Sequence, residues 1–265
     1  MTAVLGSRAR VRPWSRRPVP RRGRTSRTPG AFAAIYRLML RNQASIGRVF
    51  AVMALGVGAI LLGAAVGLQH TVDPVHDGAE LINRYGLTIL VPVVTLVFSS
   101  STLGDLIDDR TLVYLWLRPV NRLTVAAAAA GAAMTICLPA VTVPLVICAA
   151  LTGGGIALVG GTAVAAAVGV VGYCGMFVAL GLRFKRALVW GLAYILLWEG
   201  YVAKASKTAS RLSLRAYTRS VVSQYTGVRL DQAGLTIVAA VLVPVVVGIV
   251  FVLLTGRRLK KTAVD

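Results

Sequence analysis

DLIDDRTLVYLWLRPVNR, residues 105–122, separates two long apolar runs and concentrates three aspartates, three arginines and a Leu/Tyr/Trp stripe in one short connection. A loop that only reverses the chain needs none of these. From Asp105 to Leu117 the pattern predicts a helix of about 20 Å at 1.5 Å per residue. Leu112, Leu115 and Trp116 share one side, and Asp105, Asp108 and Asp109 occupy the first turn, where carboxylates suit the helix dipole. Pro119 stops the helix, and Arg118 and Arg122 return the chain to a membrane surface. Such a segment reads as a docking knob for another protein. The plainer alternative is a solvated loop whose helix touches lipid headgroups.

The membrane follows from what flanks this segment. Charged residues make up 14% of the 265-residue chain and apolar residues 57%, with a mean hydropathy of +0.75, whereas soluble domains carry about 25% charged residues. Apolar runs separated by charged breaks predict an all-α polytopic membrane protein with six spans, at about 45–69, 86–104, 124–152, 156–182, 187–203 and 233–255. Helices are required because lipid offers no partner to free backbone groups. The third run exceeds one crossing, and its excess is tilt, an extension, or a break near Pro139 and Pro144.

Residues 1–48 hold twelve arginines and no acid. Their first thirty residues, rich in Arg and Pro, cannot bury enough apolar surface to fold and are expected to be disordered. Residues 31–265 form the transmembrane domain. The net charge of +20 would also suit nucleic acid, but only Trp14 offers a stacking surface within the basic tail, so no nucleic-acid partner is expected. Retention on the cytoplasmic side and attraction to anionic lipid explain the charge better. No apolar core follows the basic start as a secretory signal requires; an Arg-rich transit peptide is the minor alternative.

With the start cytoplasmic, the connection HTVDPVHDGAE (70–80) is external, 105–122 internal, TGGG (152–155) external, RFKR (183–186) internal, and the basic GRRLKK end internal. Residues 204–232 must then be external, yet Lys204, Lys207, Arg211, Arg215 and Arg219 recur every three or four positions. They predict a helix on the outer leaflet, held by anionic headgroups. The rival is a re-entrant fifth run, which would turn this loop inward. Ahead of the first span, AFAAIYRLMLRNQ places Phe32, Ile35, Tyr36, Met39 and Leu40 on one helical face, with Arg37 and Arg41 opposite. Gly63 with Gly67, and Ala165 with Gly169, Gly172 and Gly175, form close-packing faces, within the chain or across a dimer.

The chain lacks GxxxxGK[ST], HExxH and GxSxG. His70 and His76 read as solvated loop residues. Cys137, Cys148 and Cys174 read as small packing residues. Glu199, in LLWEGY, is the exceptional acid, expected near the outer end of span 5. It either snorkels or pairs with a basic residue of the following loop, or it lines a translocation path or outer gate.

DDRTLVYLWLRPVNR resembles the signature of the ABC type-2 export permeases: an acidic start, Gly-Thr-Leu, apolar positions, then Pro-Val-x-Arg. The likeness rests on Asp108 or Asp109, Thr111, Leu112, Leu115, Leu117, Pro119, Val120 and Arg122. Arg110 departs from the usual glycine, and Asp stands where Glu is frequent. An amphipathic elbow helix, six spans, LLWEGY in span 5 and LSLRAYTRS (212–220) follow in the family's order, covering nearly everything after residue 30.

The resemblance implies a non-catalytic transmembrane subunit of an ATP-driven exporter in the inner (plasma) membrane. It would pair with a second permease copy or a related chain, and with separate nucleotide-binding subunits that bind ATP and magnesium; no cofactor is expected on this chain. Asp105, Asp108, Asp109, Thr111, Leu112, Leu115, Trp116, Pro119 and Arg122 would seat on the ATPase as a cytoplasmic coupling helix. Uniformly apolar spans suit drug-like or lipid-like cargo. The rival classes are a membrane scaffold or assembly factor and a lipid-modifying enzyme, for which the aspartate cluster lacks a partner histidine.

Overall fold

Asp73 and Pro74 begin a helix where the sequence reading placed a loop. The Asp73 carboxylate accepts the His76 backbone N–H at 3.0 Å, and Pro74 occupies the first helical turn, where a missing N–H costs nothing. In the computed structural model, which describes residues 30–43, 45–69, 72–108, 121–202, 212–230 and 234–261, this helix runs on into the second span. It is α3 (Pro74–Leu81), a π-helical stretch π1 (Ile82–Leu90) and α4 (Val91–Asp108) in direct succession. His76 therefore sits on a helix, and Glu80 lies one turn from both His76 and Arg84, with which it makes an ion pair at 2.5 Å.

The remaining helices are α1 (Ala31–Gln43), α2 (Ile46–Leu68), α5 (Arg122–Leu151), α6 (Gly155–Arg183), α7 (Ala187–Ala193) continued by a second π-helical stretch π2 (Tyr194–Val202), α8 (Leu214–Thr226) and α9 (Ile237–Lys261). Among the described residues, five helical stretches are long and apolar enough to cross a membrane: α2, Pro74–Gly104, α5, α6 and Ile237–Leu259 within α9. The protein is thus all-helical and multi-span. The apolar stretch Ala187–Tyr201 is shorter than the other five.

Two boundaries differ from the sequence reading, those of the second and last spans. The second helix starts at Pro74 rather than near residue 86. The third keeps its expected bounds as one continuous helix of 30 residues with Pro139 and Pro144 inside it, so of the three alternatives for its excess length the break does not occur. Each proline frees only one carbonyl, and neighbouring helices can shield it. Pro144 packs on Gly56 of α2. The last helix runs through the basic GRRLKK stretch as far as Lys261.

The core lies on the Pro74–Gly104 helix and α6. Their most apolar windows are 78% and 61% buried, against 22% for α2 and 17% for the last helix. Met53, Leu61, Val238 and Ile249 of these outer helices stay exposed. Apolar surface of that extent is unfavourable against water and suits hydrocarbon. α1 packs on α5 through Ile35 and Met39, both buried, while Arg37 and Arg41 are exposed. Tyr36 Oη lies 2.7 Å from Thr135 Oγ1 of α5, and the buried Gln43 amide donates to Thr102 Oγ1 of α4.

Glycines set the direction of neighbouring helices. A Cβ on Gly63 would meet the Cys148 carbonyl oxygen at 2.7 Å, and one on Gly67 would collide with the Leu151 carbonyl. Likewise Gly172 faces Pro244, and Gly175 faces the backbone of Gly248. The small residues therefore pack within the chain. Because residue numbers rise together in each pair, α2 runs parallel to α5, and α6 parallel to α9.

Since α6 and α9 point the same way, the chain between Arg183 and Ile237 must travel the length of the bundle. It does so in two helical pieces. α7 and π2 leave the end of the bundle that carries Arg122 and Arg183, the Arg122 end. α8 runs antiparallel to α6, with Leu214 against Gly172, Thr218 against Gly169 and Tyr225 against Gly161, towards the opposite, Gly153 end.

Candidate functional site

Tyr173 lies on α6, 10 residues before its last residue, Arg183, which is about 15 Å along a helix axis. At that depth its hydroxyl donates to Glu199 Oε2 at 2.5 Å. Both side chains are buried, Glu199 with 2% of its surface exposed. Glu199 was expected near the outer end of its span, within reach of the interface. The structure corrects this: the carboxylate is deep in the bundle.

The π-helical geometry of π2 explains part of the arrangement. Its hydrogen bonds run from residue i to i+5, so residues five apart come onto one face. Tyr194 and Glu199 have that spacing, and the Tyr194 side chain also reaches the Glu199 carboxylate. Phe177 completes the aromatic wall, 5.7 Å from Tyr173 and 6.5 Å from Tyr194, centroid to centroid. In an α-helix Tyr194 and Glu199 would diverge by about 140°.

The positive charge comes from α8. Arg215 and Arg219, spaced i,i+4, are each 7% exposed and share the face turned toward Glu199. The Arg215 backbone N–H also lies close to the carboxylate. Thr218 Oγ1 donates to the Arg215 carbonyl at 3.0 Å, and Ser220 Oγ to that of Ala216 at 2.9 Å, so the polar side chains of this buried helix use its own backbone. These arginines were expected on the outer leaflet. The i,i+4 spacing identified a shared face, and its burial toward Glu199 agrees with the reading that pairs this acid with a basic residue of the following loop, not with headgroups at the surface. Lys204, Lys207 and Arg211 lie outside the described residues.

Polar capacity is left over. Glu199 Oε1 and Arg215 Nε are buried without a hydrogen-bond partner among the described residues. Two opposite charges, a phenol and an aromatic wall make an arrangement suited to electrostatic positioning. Tyr173 and Tyr194 were missed from sequence. The available signal was a phenol set among glycines, Gly172-Tyr173-Cys174-Gly175, in an otherwise apolar helix.

The other site residues are placed as follows. Asp105 and Asp108 belong to the end of α4, in direct continuation of the span, instead of opening a separate helix. No proline or other strong breaker separates them from Gly104. Arg122 is the first residue of α5, whose cap is Asn121, with Oδ1 accepting the Leu123 N–H at 3.1 Å. Asp109, Thr111, Leu112, Leu115, Trp116 and Pro119 lie outside the described residues, as do His70 and residues 1–29. Cys137, Cys148 and Cys174 are free and buried. Among the described residues no three His, Cys, Asp or Glu side chains converge as metal ligands do. A cavity of about 280 Å³ at the Gly153 end is lined by Val66, Gln69, Asp77, Glu80, Leu81 and Arg84, where the Glu80–Arg84 pair offsets much of the charge.

A scan against protein-family models finds none that matches this chain, and comparison with curated protein sequences finds no match.

Proposed function

We propose that this chain is the membrane subunit of an ATP-driven exporter of the ABC type-2 class, coupled through residues 105–122 to a separate ATPase. In this reading it crosses the membrane six times, and the fifth crossing is divided between α7–π2 and α8. The single observation that carries the proposal is the segment itself: DDRTLVYLWLRPVNR resembles the family signature in composition and order. Two features of the fold support it. The segment joins α4 directly to α5, two long helices that both pack on α6, so a force applied to the connection has a stiff path into the core. Basic residues also predominate at the end of the bundle that carries Arg122, among them Arg37, Arg48, Lys185, Arg186 and Arg257 against Asp105 and Asp108, whereas Asp73, Asp77 and Glu80 lie at the other end with Arg84 and Arg229. Cytoplasmic loops carry such an excess of Lys and Arg, which makes the Arg122 end the cytoplasmic one and suits a soluble ATPase. ATP and magnesium would be held by that partner, and the two permease positions filled by two copies or by related chains. The lipid-facing apolar surfaces suit an amphipathic or hydrophobic cargo.

The test is association. Leu112→Arg or Trp116→Ala is expected to reduce recovery of a P-loop ATPase subunit that co-purifies with the unaltered chain by tenfold or more in a tagged pull-down, about 1.4 kcal/mol, with membrane insertion unchanged. Full recovery with both variants would defeat the docking assignment. A scaffold or lipid-modifying enzyme would show no dependence of ATP hydrolysis on the chain at all.

A further inference from the structure

We propose that Glu199 is a latch that holds α8 inside the bundle, and that α8 is a movable element whose release opens the Gly153 end. The inference needs no ATPase partner and stands on the geometry of α6, π2 and α8 alone.

Four observations lead to it. First, α8 is a polar helix in a buried place: Arg215, Thr218, Arg219 and Ser220 are all nearly inaccessible. A guanidinium removed from water needs close partners, so this helix depends on specific polar contacts as well as on the burial of Leu214, Ala216, Val221 and Val222. Second, its first turn has an acid beside it from another helix. The cap residue Ser213 makes no side-chain capping bond, and the buried Glu199 carboxylate lies close to the N–H of Arg215, the second residue of α8. Tyr173 fixes that carboxylate from α6. A carboxylate at a helix N-terminus is favourable both as acceptor and through the dipole.

Third, the α6 surface under α8 offers notches and no projecting side chain at three positions: Gly172, Gly169 and Gly161 receive Leu214, Thr218 and Tyr225 of α8, so at these points the contact is made by α8 side chains alone. Fourth, the docked state leaves Glu199 Oε1 and Arg215 Nε buried without hydrogen bonds among the described residues. Both atoms would be satisfied on hydration, so undocking recovers part of what it loses. The far end of α8 has its own tether: Gly227 closes the helix in the left-handed region at φ 72°, Ser223 Oγ donates to the Val228 carbonyl, and the Gln224 amide donates to the Leu235 carbonyl ahead of α9. A helix tethered at its outer end and latched at its inner end can swing.

The groups facing the latch are Tyr173 on α6, Tyr194 on π2, and Arg215 and Arg219 on α8. Removing the carboxylate's charge while keeping its shape should free α8 without disturbing the rest of the bundle.

Ser220→Cys serves as the reporter, since Ser220 is 1% exposed and near-isosteric with cysteine. The full-length protein in liposomes is treated with a membrane-impermeant thiol reagent. Glu199→Gln is expected to raise the labelling rate at position 220 about tenfold or more, because a charged anchor is lost from a local opening equilibrium. Tyr173→Phe should raise it by a smaller factor. Cys137, Cys148 and Cys174, buried elsewhere in the core, are expected to stay unlabelled in all forms. An unchanged rate in both variants overturns the latch. So does labelling of the native cysteines in step with position 220, which would mean general loosening. If Glu199→Gln fails to fold, Tyr173→Phe decides by the same criteria.

Discussion

A Cβ on Gly175 would lie 2.6 Å from the Gly248 Cα, while one on Gly131 would find only the Tyr36 ring, at 3.8 Å. The two glycines differ in what replacing them would do. Gly175→Ala must push α6 and α9 apart, and its stability in detergent, measured by thermal unfolding, should fall by about 1–3 kcal/mol, as overpacked cores do. Gly131→Ala has room and lowers backbone entropy in the unfolded chain, so it should be neutral or stabilising by up to about 1 kcal/mol. The small-residue faces at Gly63, Gly67, Gly169, Gly172 and Gly175 were legible in the sequence because close helix approach in lipid requires them. Their partners were not. A missing side chain says that something comes close, without saying whether it is Cys148, Gly248 or a second subunit. Glu199 shows the same limit. Its rarity in an apolar run marked it for attention, but its depth depends on where a short helix begins and on a π-helical turn that periodicity does not reveal.

Helix ends were legible where local chemistry marks them. Asp73 followed by Pro74 is a strong start signal, overshadowed in the sequence by the polar HTVDPVHDGAE around it. Asp73→Ala should therefore cost about 1 kcal/mol by loss of the cap. Faster amide exchange confined to α3 would show it, with α4 unchanged. Arg215 and Arg219, the described end of the basic stripe, were misplaced for a different reason. Spacing of three and four residues reports which side chains share a face, but not whether that face meets headgroups or a carboxylate. Hydropathy pushed the reading outward, since α8 is too polar to pass as a membrane element by itself. Arg215 and Arg219 are buried on the side of Glu199, a tertiary fact that residues 204–219 alone do not reveal, though the isolated acid in LLWEGY suggests such a partner. The prolines of α5 left a break open beside tilt or extension, and the helix is continuous. Pro139 and Pro144 break isolated helices in water, yet a packed membrane helix carries both.

The multi-span, all-helical class was evident from composition and run length, because a 30 Å hydrocarbon layer leaves few alternatives. How the chain passes from Arg183 to Ile237 was not, since the connection is made by a short apolar helix and a polar one, neither of which has the signature of a span. The functional proposal depends on that passage. If the chain traverses the bundle there, residues 105–122 and the basic end of α9 face the same side, where a soluble ATPase can reach the knob. The most direct measurement is single-cysteine labelling in sealed, oriented vesicles, with the native cysteines replaced and Lys185→Cys compared with Arg229→Cys, both exposed positions flanking α7–π2 and α8. The account predicts that an impermeant reagent reaches Arg229→Cys from the outside and Lys185→Cys only from the cytoplasmic side. Labelling of both from one side would mean that the chain turns back, and would contradict it.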